Sequence, residues 1–417
     1  MSGYLSRRSM LAATAASASL GYARIGRAQQ GGAIKIGVVM TQSTPLGELG
    51  NIHVLGAKLA AKHVNESGGI DGRMIELVTR DARFSASDTI AAVRELAGSG
   101  INLILGDPFS QDVLAILPLL DELAVVYCTP GTILMEVTHE KYNRHFFRAA
   151  CNARGMYGGS ALVMAKTYPA ALRWSAVLLD VVGAHAGWAA FQASLKRSYA
   201  KYSGKQVEII EPLLVKLGVS NFRDQITQLM SMNLDGIHVG ITGSNAITFY
   251  QQAQPFGLFN RTKAVADTIV GVQTGPTLKN AVPKNFWTYC QWTIETYGQF
   301  DLAQRFNKDF IAESKRPTVD PPASESHSVI MGLATAMKQA KGTGTDAVIS
   351  ALESIQFDSV FGRIGYRKED HQLLFDPGYL HVEPQDGEPG YRNVGVVTIP
   401  YQEIVEPPSP GVPYHET

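Results

Sequence analysis

Residues 34–81 read as a strand, a helix and a second strand, and that order constrains the fold more than any other feature. The run Ile34-Lys35-Ile36-Gly37-Val38-Val39-Met40 is apolar enough for a buried strand, and it empties into a loop of Thr, Ser, Gly and Pro. An Ala-rich amphipathic stretch follows and stops at Asn65-Glu66-Ser67-Gly68-Gly69. Ile70-Asp71-Gly72-Arg73 then turns the chain into a strand over 74–79. Strands joined through a crossover helix run parallel. A parallel sheet needs helices on both faces, and the loops at the carboxyl ends of its strands form ligand crevices.

The alternation continues with a predicted helix over 85–98, a strand over 101–105, a helix over 111–123 kinked at Pro118, and a strand over 124–127. Three strand-to-loop junctions, 41–49, 107–111 and 129–133, therefore share one sheet edge. After Phe146-Phe147-Arg148 a second set begins. Its helices are expected over 155–166, 186–199, 221–232 and 244–255, and its strands over 174–180, 207–211, 234–239, 263–266 and 286–292. Helices over 301–314, 324–340 and 346–354 are too many for the second set, so the chain is expected to cross back to the first. Short strands are expected around 361–366, 373–375 and 379–382, and Pro407-Pro408-Ser409-Pro410 reads as a solvated extension. A chain of 417 residues is long for one core, so the fold class is α/β with two doubly wound lobes.

Composition narrows the partners. Apolar residues make up 45% and charged residues 18%, as in a well-cored globular protein. Lys plus Arg and Asp plus Glu both number 37, which gives no electrostatic reason to expect nucleic acid or an anionic membrane. Cys128, Cys151 and Cys290 lack metal-site spacing and cannot be paired from sequence. Neither a metal nor a cofactor is expected. Near the start, Ser6-Arg7-Arg8-Ser9-Met10-Leu11 resembles a twin-arginine export motif, and the apolar run over 10–20 is short for a membrane span. Gly26-Arg27-Ala28 offers a cleavage context, so residues 1–28 read as a leader peptide, or else as an uncleaved tail. No Cys follows that run and no later stretch is apolar enough to span a bilayer, so a protein not embedded in the membrane is expected. No G-x-S-x-G, H-E-x-x-H or G-x-x-x-x-G-K-[ST] motif occurs, and residues 341–345 lack the spacing of a phosphate loop. No catalytic residue is nominated.

Taken together, I-K-I-G-V-V, N-E-S-G-G-I-D-G-R, G-D-P-F-S-Q, V-V-Y-C-T-P-G-T, H-F-F-R-A-A and N-F-R-D-Q-I resemble the type I periplasmic solute-binding proteins of the branched-chain amino acid class. The correspondence runs over residues 34–382. It implies two lobes joined by a three-strand hinge, closing on a solute in the cleft between them. Its boundaries place residues 33–148 with 293–378 in the N-terminal lobe and 149–292 with 379–400 in the C-terminal lobe, followed by a Pro-rich tail over 401–417. It also implies a monomer in the periplasm that delivers its solute to an inner-membrane ABC permease. A ligand sensor on the same fold, or a periplasmic hydrolase, is the alternative.

Ser110 precedes a helix, where a hydroxyl and free N–H groups suit an anionic head group. The resemblance makes Ser110 the carboxylate-binding serine and brings Thr132 to the same ligand, although both hydroxyls also suit local turns. Gln111 and Gly131 lie in the same two loops, and Gln42 in the first loop is a further hydrogen-bonding candidate. His185 and Trp188 follow the strand that ends at Asp180, as cleft wall or as cap and core. The resemblance expects aromatic residues at Leu49, Ala184 and Thr242, and an acid for the ligand ammonium at Thr268, which Asp267 precedes. Those departures favour solutes with a carboxylate or amide and no amine. Arg148 and His145 are expected at the hinge, Arg148 as a structural partner.

Overall fold

The computed structural model describes residues 32–267 and 277–415. The leader peptide read over 1–28, and Thr268, lie outside the described residues.

Strands β1 (Ile34–Met40) and β2 (Ile75–Asp81) pair in parallel, Ile34 opposite Ile75 and Met40 opposite Asp81. Helix α1 (Gly47–Glu66) connects them and buries Ile52, Val54, Leu59 and Val64. The turn after α1 has a physical reason for its sequence. Asn65 accepts from the Ile75 N–H at 2.7 Å and donates to the Ile75 carbonyl at 3.0 Å, clamping the start of β2. Gly69 has φ +72°, and a Cβ there would lie 2.3 Å from the Arg73 carbonyl oxygen, so only glycine fits.

Helix α2 (Ala86–Gly98), capped by Ser85, leads to β3 (Leu103–Leu105), α3 (Ser110–Ile116), β4 (Val126–Thr129) and β5 (Phe146–Arg148). The five strands lie in the order β2-β1-β3-β4-β5, all parallel. The helix expected over 111–123 is interrupted where the kink was expected: it runs to Ile116, passes through a 3-10 turn at Leu117–Leu119 and resumes over Leu120–Leu123, because Pro118 has no N–H to donate.

The second sheet repeats the plan. Helix α4 (Gly159–Thr167) precedes β6 (Arg173–Leu179), α5 (Val182–Ser203), β7 (Glu208–Ile209), β8 (Leu213–Val215) and α6 (Arg223–Ser231). Then come β9 (Gly236–Gly240), α7 (Gly243–Ala253), β10 (Ala264–Asp267) and β11 (Phe286–Cys290). Its parallel part is ordered β7-β6-β9-β10-β11, with β8 also on β6. The strand expected over 207–211 is thus only Glu208–Ile209, and a further short piece, Leu213–Val215, follows Pro212, which lacks a ladder donor. Both sheets reverse strand order beside their first strand, and a crevice opens at such a switch point.

The remaining elements are α8 (Asp301–Ser314), α9 (Pro322–Ala340), α10 (Thr345–Leu352), the hairpin β12 (Phe357–Ser359) and β13 (Gly362–Ile364), and strands β14 (Gly378–Pro384) and β15 (Tyr391–Thr398). Helix α9 lies against α1 so closely that a Cβ on Gly56 would come within 2.1 Å of the Ala323 carbonyl oxygen. Strands β14 and β15 extend the second sheet antiparallel from β11. Strand β15 has no alternating apolar face, and sequence periodicity did not reveal it. Residues 373–375 form only an isolated bridge, Leu373 with Tyr366.

Arg148 fastens adjacent crossing segments. It is fully buried and donates to the Gln372 side chain at 2.6 Å, the Leu134 carbonyl at 2.6 Å and the Thr138 hydroxyl at 3.0 Å. Burial lowers its pKa to about 10. In the tail, Pro407 and Pro410 are exposed, as expected of a solvated extension, while the segments flanking them are tied to the body. Ile404 and Glu406 are buried, Asn152 donates to Glu406 at 2.8 Å, and the Gly411 N–H reaches the His139 carbonyl at 2.7 Å.

Candidate functional site

The carboxyl ends of both sheets open onto one cleft of about 1080 Å³, mouth included. On the first-sheet side, two loops are locked together. The Thr132 N–H donates to the Pro108 carbonyl at 2.7 Å, and the Thr132 hydroxyl donates to Ser110 Oγ at 3.1 Å. A Cβ on Gly131 would lie 2.5 Å from the Pro108 Cα and carbonyl oxygen, so the loops approach at a distance only glycine permits. Thr132 itself has φ +52°, an uncommon conformation for a β-branched residue and one that such interlocking sustains.

Beneath these loops lies Asp107. Its carboxylate accepts from the Thr41 N–H at 2.5 Å and the Phe109 N–H at 3.0 Å, tying the loop after β1 to the loop after β3. Thr129 donates to the Asp107 carbonyl at 2.9 Å, which brings in the loop after β4. Burial raises the Asp107 pKa to about 6, against the opposing effect of these donors.

Ser110, Gln111, Gly131, Thr132 and Thr242 all line the cleft. Gln42 does not; its amide donates to Asn51 at 3.0 Å in a separate groove beside α1. His185 is half exposed and pairs with Asp180 at 2.8 Å, away from the lining. Asp267 is fully buried at the end of β10, where Tyr250 and Thr288 donate to it, so it faces the core of the second sheet rather than the cleft. Trp188 is core, stacked on Phe191 and His238.

Leu49 and Ala184, where the resemblance expects aromatic residues, do line the cleft. Aromatic surface comes from elsewhere. Phe84 and Phe109 pack edge to face at 4.9 Å, and Tyr157 and Tyr289 complete the aromatic lining. Phe84 and Phe109 each follow the acid at a strand end, Asp81 and Asp107, by no more than a few residues; that position was the available signal. The remaining lining is mainly aliphatic, including Leu46, Ile133, Leu179, Val182 and Leu217. No Lys or Arg is among the described lining residues, and Glu325 is the one acid. His53 also borders the cleft, holds Ser326 Oγ at 2.9 Å, and is kept neutral by burial, its pKa lowered to about 3. A cleft of this kind suits a small, largely apolar solute carrying a few hydrogen-bonding groups.

Among the described residues no group of His, Cys, Asp and Glu is arranged to hold a metal, and no helix is long and apolar enough to cross a membrane. Cys128, Cys151 and Cys290 are buried free thiols, and burial raises the pKa of Cys151 and Cys290 to about 12.

The chain is similar to the leucine-, isoleucine-, valine-, threonine- and alanine-binding protein of Pseudomonas aeruginosa, 20% identical over 82% of this chain and 88% of that protein. Among solved structures, an ABC transporter substrate-binding protein from Sphaerobacter thermophilus superposes with a TM-score of 0.76 at 22% identity, covering 88% of this chain and 98% of the other. A solute-binding protein of an R. palustris ABC transporter, in complex with 4-hydroxybenzoate, gives 0.74 at 18% identity, covering 88% and 97%. The family model for periplasmic binding proteins matches residues 33–382. With the paired doubly wound sheets and the cleft between them, this match establishes that the chain belongs to the periplasmic binding protein family.

Proposed function

We propose that the protein is the exported substrate-binding component of an ABC importer, carrying a small carboxylate, amide or amino acid to an inner-membrane permease. The observation that carries this reading is the pair of interlocked loops presenting the Ser110 and Thr132 hydroxyls, 3.1 Å apart, to a cleft walled by both sheets. Hydroxyls and backbone N–H groups there meet a ligand carboxylate without a buried cation. Ser110, Gln111, Gly131 and Thr132 form the anchoring side, and Thr242 faces them. Residues 33–148 with 293–378 act as one lobe and 149–292 with 379–400 as the other, closing about the crossings that Arg148 pins. Residues 1–28 serve as the export leader, and the mature chain works in the periplasm as a monomer.

A thermal-shift panel of amino acids, amides and aromatic or aliphatic acids on the mature chain tests the reading. One chemical class should raise the melting temperature, with compaction on small-angle scattering. A panel with no hit, or turnover of a hit, defeats it.

A further inference from the structure

At the floor of the cleft, the start of α9 meets the end of β11 and places Glu325 beside Gln291 and Tyr289. Glu325 is 4% exposed, and its Oε1 has no hydrogen-bond partner among the described residues. A buried carboxyl left short of a partner is costly, and one that borders a ligand cleft has an obvious means of satisfaction. No fold requirement explains an acid here, since α9 packs on α1 through neighbouring positions such as Ala323 and Ser326.

We propose that Glu325 is the second recognition group of the cleft: its neutral carboxyl donates a hydrogen bond to an uncharged oxygen, a hydroxyl or carbonyl, of an amine-free carboxylic acid. The assignment rests on the solute-binding reading above, in which Ser110 and Thr132 hold the ligand carboxylate.

The charge count favours a neutral donor over a counter-ion. Binding an amino acid through Glu325 would place three charges in a cleft whose described lining has no Lys or Arg: the two of the zwitterion and the ionised Glu325. Each must be desolvated. An amine-free acid brings one charge, already met at Ser110 and Thr132, and leaves Glu325 protonated. Burial holds the Glu325 pKa well above the ordinary carboxylate range, although the Gln291 amide and the first turn of α9 both favour the anion. The aromatic and aliphatic walls between the two polar ends accept an apolar or aromatic body.

Calorimetry with three probes, 4-hydroxybenzoate, benzoate and L-leucine, tests the assignment on wild type, Glu325→Gln and Glu325→Leu, each first checked by thermal melting. A site built around a hydrogen bond to a hydroxyl discriminates strongly against the analogue lacking it. Wild type should therefore prefer 4-hydroxybenzoate to benzoate by about tenfold or more, and leucine should not bind. Glu325→Gln keeps a donor and should retain that preference within about threefold. Glu325→Leu should lose the preference, chiefly through weaker binding of 4-hydroxybenzoate. If Glu325→Leu does not fold, Glu325→Ala, which also lacks a donor, takes its place. Leucine binding that Glu325→Gln abolishes would overturn the proposal in favour of an ionised partner for an ammonium. Preference surviving in Glu325→Leu would remove Glu325 from the site and leave the solute-binding reading intact. Wild type binding none of the three overturns the proposed ligand class, and the broader thermal-shift panel then shows separately whether solute binding stands.

Discussion

On the first-sheet side of the cleft, the strand-end loops that face the ligand space are tied to one another. Thr132 bonds to Pro108 and Ser110, Gln111 donates to the Phe84 carbonyl at 3.0 Å, and Asp107 gathers the loops beneath. Among the described residues of the second-sheet side, Leu179, Val181, Val182, Leu217 and Gly240 present an apolar surface, with Thr242, Tyr289 and Gln291 as its polar points. The difference assigns separate tasks to the two sides. A preorganised polar anchor sheds little conformational freedom on binding and supplies directional specificity. An apolar cover gains from excluding water whatever the solute's orientation. On the proposed solute-binding reading, recognition falls mainly to the first sheet and retention to the second.

The severest way to break this asymmetry is Gly131→Ala. The added Cβ would meet the Pro108 backbone at 2.5 Å, which cannot rotate away, so the loops must separate and carry Ser110 and Thr132 out of register. Overpacking of this kind costs about 1–3 kcal/mol. Calorimetry should show affinity lower by up to about a hundredfold, with a reduced melting temperature. Full affinity would mean that the interlock is not what positions the anchor. Ser110→Ala comes next. A hydrogen bond to a charged group is worth about 1.5–3 kcal/mol, so a carboxylate ligand should bind about tenfold or more weakly. Unchanged affinity would take Ser110 out of the site.

A pH experiment sharpens the comparison in another way. Asp112, in the first turn of α3, is fully buried and neither carboxyl oxygen has a partner among the described residues. Burial, reinforced by the charge of Asp107, raises its pKa from 3.8 to about 7. Between those values the folded chain holds a proton that the unfolded chain has released. Stability therefore falls as pH rises through that window and is lowest above it. Asp112→Asn should flatten the decline in denaturant titrations at pH 5 and pH 8. At pH 8 it should stabilise the protein by about 1 kcal/mol or more. A decline just as steep in the variant would assign the titration elsewhere, with Asp107, raised to about 6, as the next candidate.

The sequence was most readable where local rules govern. Strand ends, the helix stop at Gly68-Gly69 and the strand-end loops 107–111 and 129–133 all follow from apolar runs and turn chemistry, and the loops were read as cleft-facing on that basis. Legibility failed where a residue's direction depends on distant packing. Asp267 ends a strand like Asp107, yet it turns inward to Tyr250 and Thr288, because the second sheet buries it beneath α7 and β11. His185 follows a strand end too, but Asp180 holds it at the surface. Glu325 lies in an ordinary helical pattern between Ser324 and Ser326, and only the return of the chain to the first sheet brings it to the cleft. In the tail the exposed Pro407 and Pro410 were legible as solvated, whereas the partners of the flanking Glu406 and Gly411 lie across the body and were not.

The smallest expected effect tests the covering side. Thr242 precedes α7, and its hydroxyl makes no capping bond to that helix, so it is available to a solute. Thr242→Val keeps the shape and removes the hydroxyl. One neutral hydrogen bond contributes about 0.5–1.5 kcal/mol, which corresponds to roughly three- to tenfold in affinity. The lower end of that range is expected, because most of the described second side is apolar. The loss should lie in the dissociation rate, since Thr242 engages after the solute has docked on the first sheet. Stopped-flow fluorescence separates the two rates. A slower association, or a loss equal to that of Ser110→Ala, would mean that both sides share recognition and that the cleft is symmetric in task despite its unlike walls.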